Sequence, residues 1–482
     1  MYGKMYFSID FFADLCYYIL KGWHRRDKML KRKIGPRIEE HYKTESPKAL
    51  MIIGARQVGK TYIIEEFCKT HYENYIKIDF IDNPDYISLF EGSNSAEEDL
   101  LRLSAKFGDV MVPGKTIIFF DEVQECKNII THIKYLVQDG TYEYILSGSL
   151  LGTVFKDISA PVGYMDIITM YPLDFEEFAA VNGVGDAVIT SLRKSFEQKK
   201  PVDQYIHERM MSLFELYLIV GGMPAAVSTY LNTKNLRRVA EEQNAIIHLY
   251  KRDISKYDEQ DKLELNEIFD LIPSELNAKN KRFILKNLNE HARFDKYYDS
   301  FLWLKNAGVA LPVNVVDELK IPLMLSKSKN LFKLFSNDVG LLSAQYGGDI
   351  QIKILKHETE INFGAVYENV AAQELSAHGF PLYYYNSKKF GELDFVIEDS
   401  GKVIPVEIKS GKDYYRHNAM DNVLNLAEYE LENGYVFCSG NIEVEGKITY
   451  YPIYMLMFLQ KKELPDAIIF DTDFSDINEH IS

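Results

Sequence analysis

The chain has 482 residues, of which 46% are hydrophobic, and a formal net charge of −16. This length favours about three domains, each with its own core, because domains average about 150 residues. The acidity excludes a protein that coats nucleic acid along its whole surface, although it is compatible with a local basic groove.

The cysteines and the N-terminal stretch both predict a cytoplasmic protein. The four cysteines are scattered without C-x-x-C spacing, which fits a reducing compartment and neither a disulfide framework nor a common zinc site. The apolar run within residues 1–29 contains Asp10 and Asp14 and lacks a cleavage site, so it is neither a signal peptide nor a membrane span. We expect residues 1–29 to be an N-terminal extension, either an amphipathic helix or sequence that precedes a true start at Met29.

A phosphate-binding loop follows the first predicted strand. The apolar run from Ala49 to Ile53 predicts a buried strand, and a helical pattern begins after Gly59. A strand, a G-x-x-x-x-G-K-[ST] loop and a helix in this order predict a P-loop, in which Lys60 reaches the β- and γ-phosphates and Thr61 binds Mg²⁺. The expected nucleotide contacts in this loop are Gly54, Ala55, Arg56, Gln57, Val58, Gly59, Lys60, Thr61 and Tyr62.

Two acids follow another buried strand about sixty residues later. Asp121 and Glu122 come at its carboxyl end, where parallel sheets bind their ligands. We expect Asp121 to hold Mg²⁺ through water and Glu122 to orient or deprotonate the water that attacks the γ-phosphate. An ordinary helix N-cap is the alternative for such a pair. The next strand ends at Ser147 and Ser149, each of which is either a polar sensor of the γ-phosphate or a turn residue without nucleotide contact.

Alternating strands and helices over residues 30–178 predict an α/β domain with the parallel sheet of P-loop NTPases. The helical pattern of residues 179–258 predicts a lid. Within it, Arg252 is a candidate for reaching the γ-phosphate, in cis or from a neighbouring subunit, and a surface ion pair is the alternative. Residues 259–345 suit a winged-helix module, which would bind DNA or join domains. Its three predicted helices are Leu263–Leu271, Arg282–Leu288 and Asp295–Leu304, and two strands follow them.

A second group of charged residues lies within residues 355–460. Two apolar strands flank a polar turn, which predicts a β-hairpin. With the turn centred between residues 400 and 401, Asp394 lies opposite Glu407, and Lys409 projects to the same face. Residues 461–482 are predicted to be an acidic tail.

Two carboxylates and a lysine at one place suit a one-metal nuclease. Asp394 and Glu407 would bind Mg²⁺, and Lys409 would orient the attacking water and stabilise charge on the phosphate. Glu368, on a helix that precedes the hairpin, is a third candidate ligand. The alternative is a hairpin with a cross-strand ion pair.

Taken together and in this order, the motifs resemble those of a large group of prokaryotic AAA-type ATPases. Members of this group carry a C-terminal domain of unknown function with a PD-(D/E)xK nuclease-like core. The matching stretches are G-A-R-Q-V-G-K-T, I-I-F-F-D-E-V-Q, I-L-S-G-S-L, Y-P-L-D-F-E-E-F, G-G-M-P and G-E-L-D-F-V-I with V-E-I-K-S-G. The resemblance covers residues 30 to 460 and implies ATP and Mg²⁺ as cofactors, a winged-helix middle and a restriction-endonuclease-like end.

One stretch departs from the pattern of that family. Many relatives have a Gly-Arg pair before the fifth strand, where this chain has Val162-Gly163-Tyr164-Met165. An arginine finger is therefore not expected there, and Arg252 is the remaining named candidate.

We expect an ATPase whose nucleotide state controls a C-terminal nuclease-like domain that cleaves or binds DNA. The alternative is a nucleotide-gated binding or signalling module in which the nuclease fold is inactive and holds DNA or a protein partner. ATP binding without appreciable turnover is a third possibility, and the sequence leaves open whether the chain forms homo-oligomers.

Overall fold

A computed structural model describes residues 30–44, 46–149, 163–254, 259–278, 281–288, 294–347, 351, 353 and 363–462. The predicted N-terminal extension lies outside the described residues. So does the predicted acidic tail, apart from its first two residues.

The N-terminal part contains a five-stranded sheet whose strands are all parallel, in the order β2-β3-β4-β1-β5. The predicted parallel α/β fold is confirmed here. Strand β4 lies between the strand before the P-loop and the strand that ends at Asp121, so the candidate sensor serines lie between the two motifs. The strands are β1 (Ala49–Ile53), β2 (Asn74–Asp79), β3 (Thr116–Asp121), β4 (Glu143–Gly148) and β5 (Met165–Thr169).

Both faces of this sheet are covered, which explains why its central strands are almost wholly apolar. Leu50 and Phe119 belong to the core on one face, together with Ile64 of α2. Met51 and Phe120 belong to the core on the other face, which includes residues of α3 and α4. The helices are α1 (Ile34–Lys43), α2 (Lys60–His71), α3 (Ala96–Phe107) and α4 (Lys127–Asp139).

The predicted helical region is confirmed. Its first helix begins with a capping box, in which Asp174 and Glu177 each bond to the other's backbone N–H. The helices are α5 (Phe175–Val181), α6 (Asp186–Gln198), α7 (Gln204–Val220), α8 (Pro224–Thr233) and α9 (Leu236–Ile254), followed by α10 (Glu259–Asn277) and α11 (Phe294–Asn306).

The Gly221-Gly222 pair between α7 and α8 is required by close backbone contacts. A Cβ atom at Gly222 would lie 2.0 Å from the Leu173 carbonyl oxygen, and one at Gly221 would lie 2.2 Å from Asp338 Oδ1. The Gly222 N–H donates to Asp338 Oδ2 at 2.6 Å. The G-G-M-P stretch thus joins the sheet domain, the helices and the C-terminal region at one point.

The C-terminal region contains an eight-stranded mixed sheet in the order β12-β13-β11-β10-β9-β8-β6-β7. Its strands are β6 (Ala310–Val316), β7 (Lys327–Ser336), β8 (Tyr383–Ser387), β9 (Gly391–Asp399), β10 (Lys402–Ile408), β11 (Gly434–Cys438), β12 (Glu443–Glu445) and β13 (Ile448–Pro452). The helices of this region are α12 (Val339–Gln345), α13 (Phe363–Ala377) and α14 (Asn418–Leu424).

The sheet corrects the expectation of a separate winged-helix module. The two strands assigned to that module, β6 and β7, do pair with each other, but β6 also pairs in parallel with β8. They therefore extend the sheet that contains the hairpin. Of the three predicted helices, the middle one is a single 3₁₀ turn at Leu285–Asn287. Alternating apolar residues predicted the two strands correctly but carried no information about the third strand beside them.

Candidate functional site

The P-loop connects β1 to α2 through backbone conformations that favour glycine. Gly59, at the N-cap of α2, has a φ of 96°. Gly54 has a φ of 152°, and a Cβ atom there would lie 2.2 Å from the Met170 carbonyl oxygen. The loop is thus packed tightly against the end of β5 and places the N-terminus of α2 where a phosphate would bind.

Lys60 is buried beneath this loop. Its ammonium donates to the carbonyl oxygens of Gly54 and Ala55, each at 3.0 Å. Burial lowers the pKa of Lys60 to about 8, even though the carboxylates of Glu122 and Asp121 favour its charged form. An anion beside Lys60 would favour that form further.

Thr61, Asp121 and Ser147 meet at the end of the loop. The Thr61 hydroxyl donates to Asp121 Oδ2 at 2.9 Å, and the Ser147 hydroxyl donates to Asp121 Oδ1. Lys77 of β2 lies 3.2 Å from the same carboxylate. Burial raises the pKa of Asp121, although these hydrogen bonds and Lys77 oppose the rise. A hydroxyl and a carboxylate beside a phosphate site are the protein ligands that Mg²⁺ takes in nucleotide-binding proteins, so these residues fit the ion.

Glu122 has a left-handed backbone with a φ of 56°, which is uncommon for a residue other than glycine. Its Oε2 accepts hydrogen bonds from Gln124 Nε2 at 2.6 Å and from the Ser149 hydroxyl at 3.1 Å. Ser149 Oγ also accepts from Arg56 Nε at 3.5 Å. The hydroxyls of the two candidate sensor serines thus donate to different carboxylates, that of Ser147 to Asp121 and that of Ser149 to Glu122.

Arg56 connects the P-loop to the helical region. Its guanidinium forms an ion pair with Asp253, a residue near the end of α9 that is 6% exposed. The Tyr250 hydroxyl of the same helix donates to the Arg56 carbonyl oxygen at 3.2 Å. Gly308, just before β6 of the C-terminal region, packs closely against the P-loop. A Cβ atom at Gly308 would lie 3.1 Å from the Ala55 backbone nitrogen. The P-loop is therefore in contact with both later parts of the chain.

A cavity of about 550 Å³ lies next to the P-loop and has the size of a small-molecule site. The exposed Arg252 of α9 is among the residues that line it, and within the described ranges its guanidinium forms no ion pair or hydrogen bond. The structure thus places Arg252 at this cavity, and its role toward nucleotide stays a prediction. Other residues that line the cavity are Arg32, Lys60, Thr61, Glu122 and Met170.

The second predicted group of residues also comes together. Strands β9 and β10 pair antiparallel with Val406 opposite Phe395, which is the register expected for a turn centred between residues 400 and 401. The Asp394 carboxylate accepts from the Ile408 N–H at 2.8 Å, and Lys409 Nζ lies 3.0 Å from Glu407 Oε2. Burial, and to a smaller extent the nearby carboxylate of Asp394, raises the pKa of Glu407 well above its usual range.

Glu368 reaches the same place from α13 but has cationic neighbours that the sequence did not reveal. One of its carboxylate oxygens pairs with Lys281, and the other lies 3.5 Å from the ammonium of Lys333. Lys333 is 1% exposed and also pairs with Glu392 at 2.8 Å. Although burial alone raises the pKa of Asp394, Lys333 and Lys281 lower it below its usual value.

The arrangement of this cluster does not fit a divalent metal ion. Two lysines face Glu368, a third faces Glu407, and Asp394 bonds to a backbone N–H. Within the described ranges, no group of three or more His, Cys, Asp or Glu side chains could hold a metal ion. Carboxylates that lie close to one another need a positive charge nearby, and lysine ammonium groups supply that charge here.

Several residues at both sites were not predicted. Asp253 lies far from the P-loop in sequence, and Lys281 and Lys333 lie far from the hairpin. Lys77 lies on β2, the strand that follows the P-loop helix. Lys77 did carry a signal, because it is a charged residue at an alternating position within a strand. For the others, the sequence contains no local pattern that distinguishes them from surface charges.

Three family models match parts of the chain. The model described as "AAA domain" matches residues 46–179. Two models described as domains of unknown function, DUF8612 and DUF4143, match residues 211–351 and 363–456. With the parallel sheet and the P-loop geometry, the first match identifies an AAA-type P-loop ATPase-like domain at the N-terminal end. The nuclease-like and winged-helix expectations find no counterpart in these descriptions.

Solved structures similar to the chain include the Walker-type ATPase PABY2304 of Pyrococcus abyssi, with 16% identity, a TM-score of 0.41 and coverage of 67% of this chain and 97% of that one. A RuvB variant of Thermotoga maritima has 10% identity, a TM-score of 0.29 and coverage of 61% and 89%. The Pif1 helicase of Candida albicans has 12% identity, a TM-score of 0.23 and coverage of 37% and 46%. With TM-scores this low, these similarities carry no argument about fold or function.

No curated protein matches the chain significantly. Among the described residues, no helix has both the length and the apolar character needed to cross a membrane.

Proposed function

We propose that the chain binds ATP with Mg²⁺ at the P-loop and hydrolyses it. The observation that carries this proposal is the meeting of Thr61, Asp121 and Ser147 beside the buried ammonium of Lys60. A phosphate at the N-terminus of α2 would lie next to Lys60 and Thr61, the residues that would balance its charge directly and through Mg²⁺.

Each residue has a distinct role in this proposal. Lys60 neutralises the β- and γ-phosphates, and Thr61 and Asp121 would hold Mg²⁺, which supplies further positive charge at the phosphates. Glu122 orients and deprotonates the attacking water after its carboxylate has released the hydrogen bonds from Gln124 and Ser149. Arg252 reaches the γ-phosphate from the wall of the cavity.

Replacement of Glu122 by Gln tests the hydrolytic role. We expect Glu122→Gln to lower steady-state ATP turnover by about 10²-fold or more while a fluorescent ATP analogue still binds, because general bases contribute about 10²- to 10⁴-fold. The matched control is Glu125→Gln, an exposed acid on the same loop, which should keep full turnover. If the wild type and Glu122→Gln turn over ATP at the same rate, the hydrolytic role of Glu122 is wrong. Only the ATP-binding part of the proposal would then remain.

We infer further that nucleotide acts on the C-terminal region through the P-loop itself. A phosphate that draws Arg56 toward the cavity weakens its ion pair with Asp253 on α9. The contact between Gly308 and Ala55 supplies a second connection, directly to the start of the C-terminal sheet. Both contacts are close, so we expect a change in the P-loop to displace their partners.

Two functions are candidates for the C-terminal region. A nucleotide-gated binding module is favoured by the ammonium groups that already balance the carboxylates. Metal-dependent DNA cleavage is favoured by the convergence of Asp394, Glu407 and Lys409 in the expected register. We propose the binding module, because the cluster does not fit a divalent ion.

A cleavage assay separates these two candidates. The full chain is incubated with linear and supercoiled DNA, ATP, and Mg²⁺ or Mn²⁺, beside Asp394→Ala and the control Asp413→Ala, which removes an exposed acid. We expect no cleavage by any of the three proteins. Cleavage that Asp394→Ala abolishes and Asp413→Ala retains would establish the nuclease instead.

The partner of a binding module is either DNA or a protein. Binding of labelled DNA measured at several salt concentrations distinguishes them, because affinity for DNA falls steeply as salt rises. The net charge of −16 favours a protein partner over DNA. Molecular mass in solution with and without ATP tests for homo-oligomers.

A further inference from the structure

A second cavity, which we call the junction pocket, lies between the sheet domain and the C-terminal region. Its volume is about 640 Å³, within the range of small-molecule sites. It is bounded by the start of α1, the segment after β5, and the chain on either side of Gly379 and Lys461. The ATP binding and hydrolysis proposed for the P-loop do not involve a ligand in the junction pocket.

Among the acidic and basic side chains that line the junction pocket, the basic ones outnumber the acids. Arg32 and Lys33 are matched by acids, since Arg32 pairs with Glu177 at 3.1 Å and Lys33 pairs with Asp174 at 2.6 Å. His378 Nε2 lies 3.4 Å from Asp174, so the acids that line the pocket already have partners. The basic residues that line it are Arg32, Lys33, Arg37, His378, Lys461 and Lys462.

Three cations therefore remain in excess. Arg37, Lys461 and Lys462 are exposed, and their side chains form no ion pair with any acid in the part of the chain that the structure describes. Cations gathered around a concave space raise the local concentration of anions. Guanidinium and ammonium groups that line one cavity are suited to bind phosphate oxygens.

Arg32 connects the junction pocket to the nucleotide site. Its guanidinium donates to the Val58 carbonyl of the P-loop at 2.9 Å and to the Tyr171 carbonyl at 2.6 Å. Arg32 also lines both cavities. A ligand that moves Arg32 would therefore change the backbone that surrounds the nucleotide phosphates.

We propose that the junction pocket binds a small phosphate-bearing anion, held by Arg37, Lys461 and Lys462. The site is separate from the P-loop and would act on it through Arg32. Its occupancy does not depend on ATP hydrolysis, so the proposal stands or fails independently of the proposed function.

Pyrophosphate is a suitable probe, because it carries the charge without a base. Calorimetric titration of the full-length Lys60→Ala variant, in which the P-loop lacks its lysine, should still show one site. Adding Arg37→Ala and Lys461→Ala should weaken that binding by at least about tenfold, since hydrogen bonds to charged groups are strong. The control pair Lys388→Ala and Lys412→Ala removes two exposed lysines outside the pocket and should change nothing.

The wild type provides an independent readout in case Lys60→Ala does not fold. Its titration should show one pyrophosphate site more than that of the variant with Arg37→Ala and Lys461→Ala, whether or not the P-loop binds pyrophosphate. The proposal is wrong if the wild type and this variant bind the same amount of pyrophosphate. It is equally wrong if the control pair weakens binding as much as the pocket pair, since the effect would then be one of overall charge.

Discussion

The P-loop site and the C-terminal cluster are built from the same residue types but arranged in opposite ways. At the P-loop, Lys60 bonds only to backbone carbonyls among the described residues, and it lines an open cavity with Thr61 and Glu122. In the C-terminal cluster, lysines lie directly against carboxylates, and Lys333 is 1% exposed. The first arrangement leaves charge available for a ligand, and the second satisfies it internally.

This difference shows that a set of residue types does not by itself define a site. Buried carboxylates need positive charge nearby, whether it comes from a metal ion or from ammonium groups. Asp394, Glu407 and Lys409 converge as a nuclease would require, but Lys281 and Lys333 supply the charge that a metal would otherwise bring. The two sites therefore differ in the charged side chains that the fold brings next to the carboxylates from distant parts of the chain.

The largest expected effect concerns stability. Lys333→Met should lower the free energy of unfolding by about 3–5 kcal/mol, because it removes the buried ammonium shared by Glu368 and Glu392 and leaves Lys281 as the partner of Glu368. Chemical denaturation measures this loss. Lys402→Met removes an exposed ion pair with Glu432 and should cost no more than about 1 kcal/mol. Equal, small losses in both variants would mean that the cluster does not depend on its lysine.

A smaller effect is expected from the link between the P-loop and α9. Asp253→Asn removes the acid that pairs with Arg56, whose Nε contacts Ser149 beside Glu122. We expect ATP turnover to change by about 5- to 20-fold, in line with typical coupling energies, with little change in ATP binding. The control is Asp270→Asn, an exposed acid paired with Lys251. Unchanged turnover would show that the ion pair between Arg56 and Asp253 does not connect α9 to ATP hydrolysis.

The smallest expected effect is a pH dependence of nucleotide binding. The pKa of Lys60 is lowered to about 8, and bound phosphate favours its charged form. Affinity should therefore be constant below pH 8 and fall by up to about tenfold per pH unit above it, as binding begins to require proton uptake. Titrations between pH 6.5 and 9.5 measure this.

The variant Lys60→Arg provides the control for that pH dependence. Arginine stays charged throughout this range, so any affinity that the variant retains should not fall above pH 8. A fall of the same size in both proteins would assign the effect to another group.

Much of the N-terminal site could be predicted because its parts are local. The strand, the loop and the helix around Lys60 follow one another in sequence, and burial on both faces makes β3 recognisable as an apolar run. The hairpin register was predictable for the same reason, since a short turn sets which residues of β9 and β10 are opposite. Periodicity and turn chemistry act over a few residues and are visible without a structure.

The remaining features depend on contacts between distant parts of the chain. Asp253 is separated from Arg56 by 197 residues, and Lys281 from Glu368 by 87. Whether such charges meet is decided by how helices and sheets pack, and that packing is driven by apolar burial, which is not specific for any one charged residue. The same packing joined β6 and β7 to the C-terminal sheet and placed the basic residues of the junction pocket together. The sequence by itself therefore determined the P-loop, the strands of the N-terminal sheet and the hairpin, because each is specified by neighbouring residues. Only the tertiary structure decided which carboxylates remain available and which are neutralised.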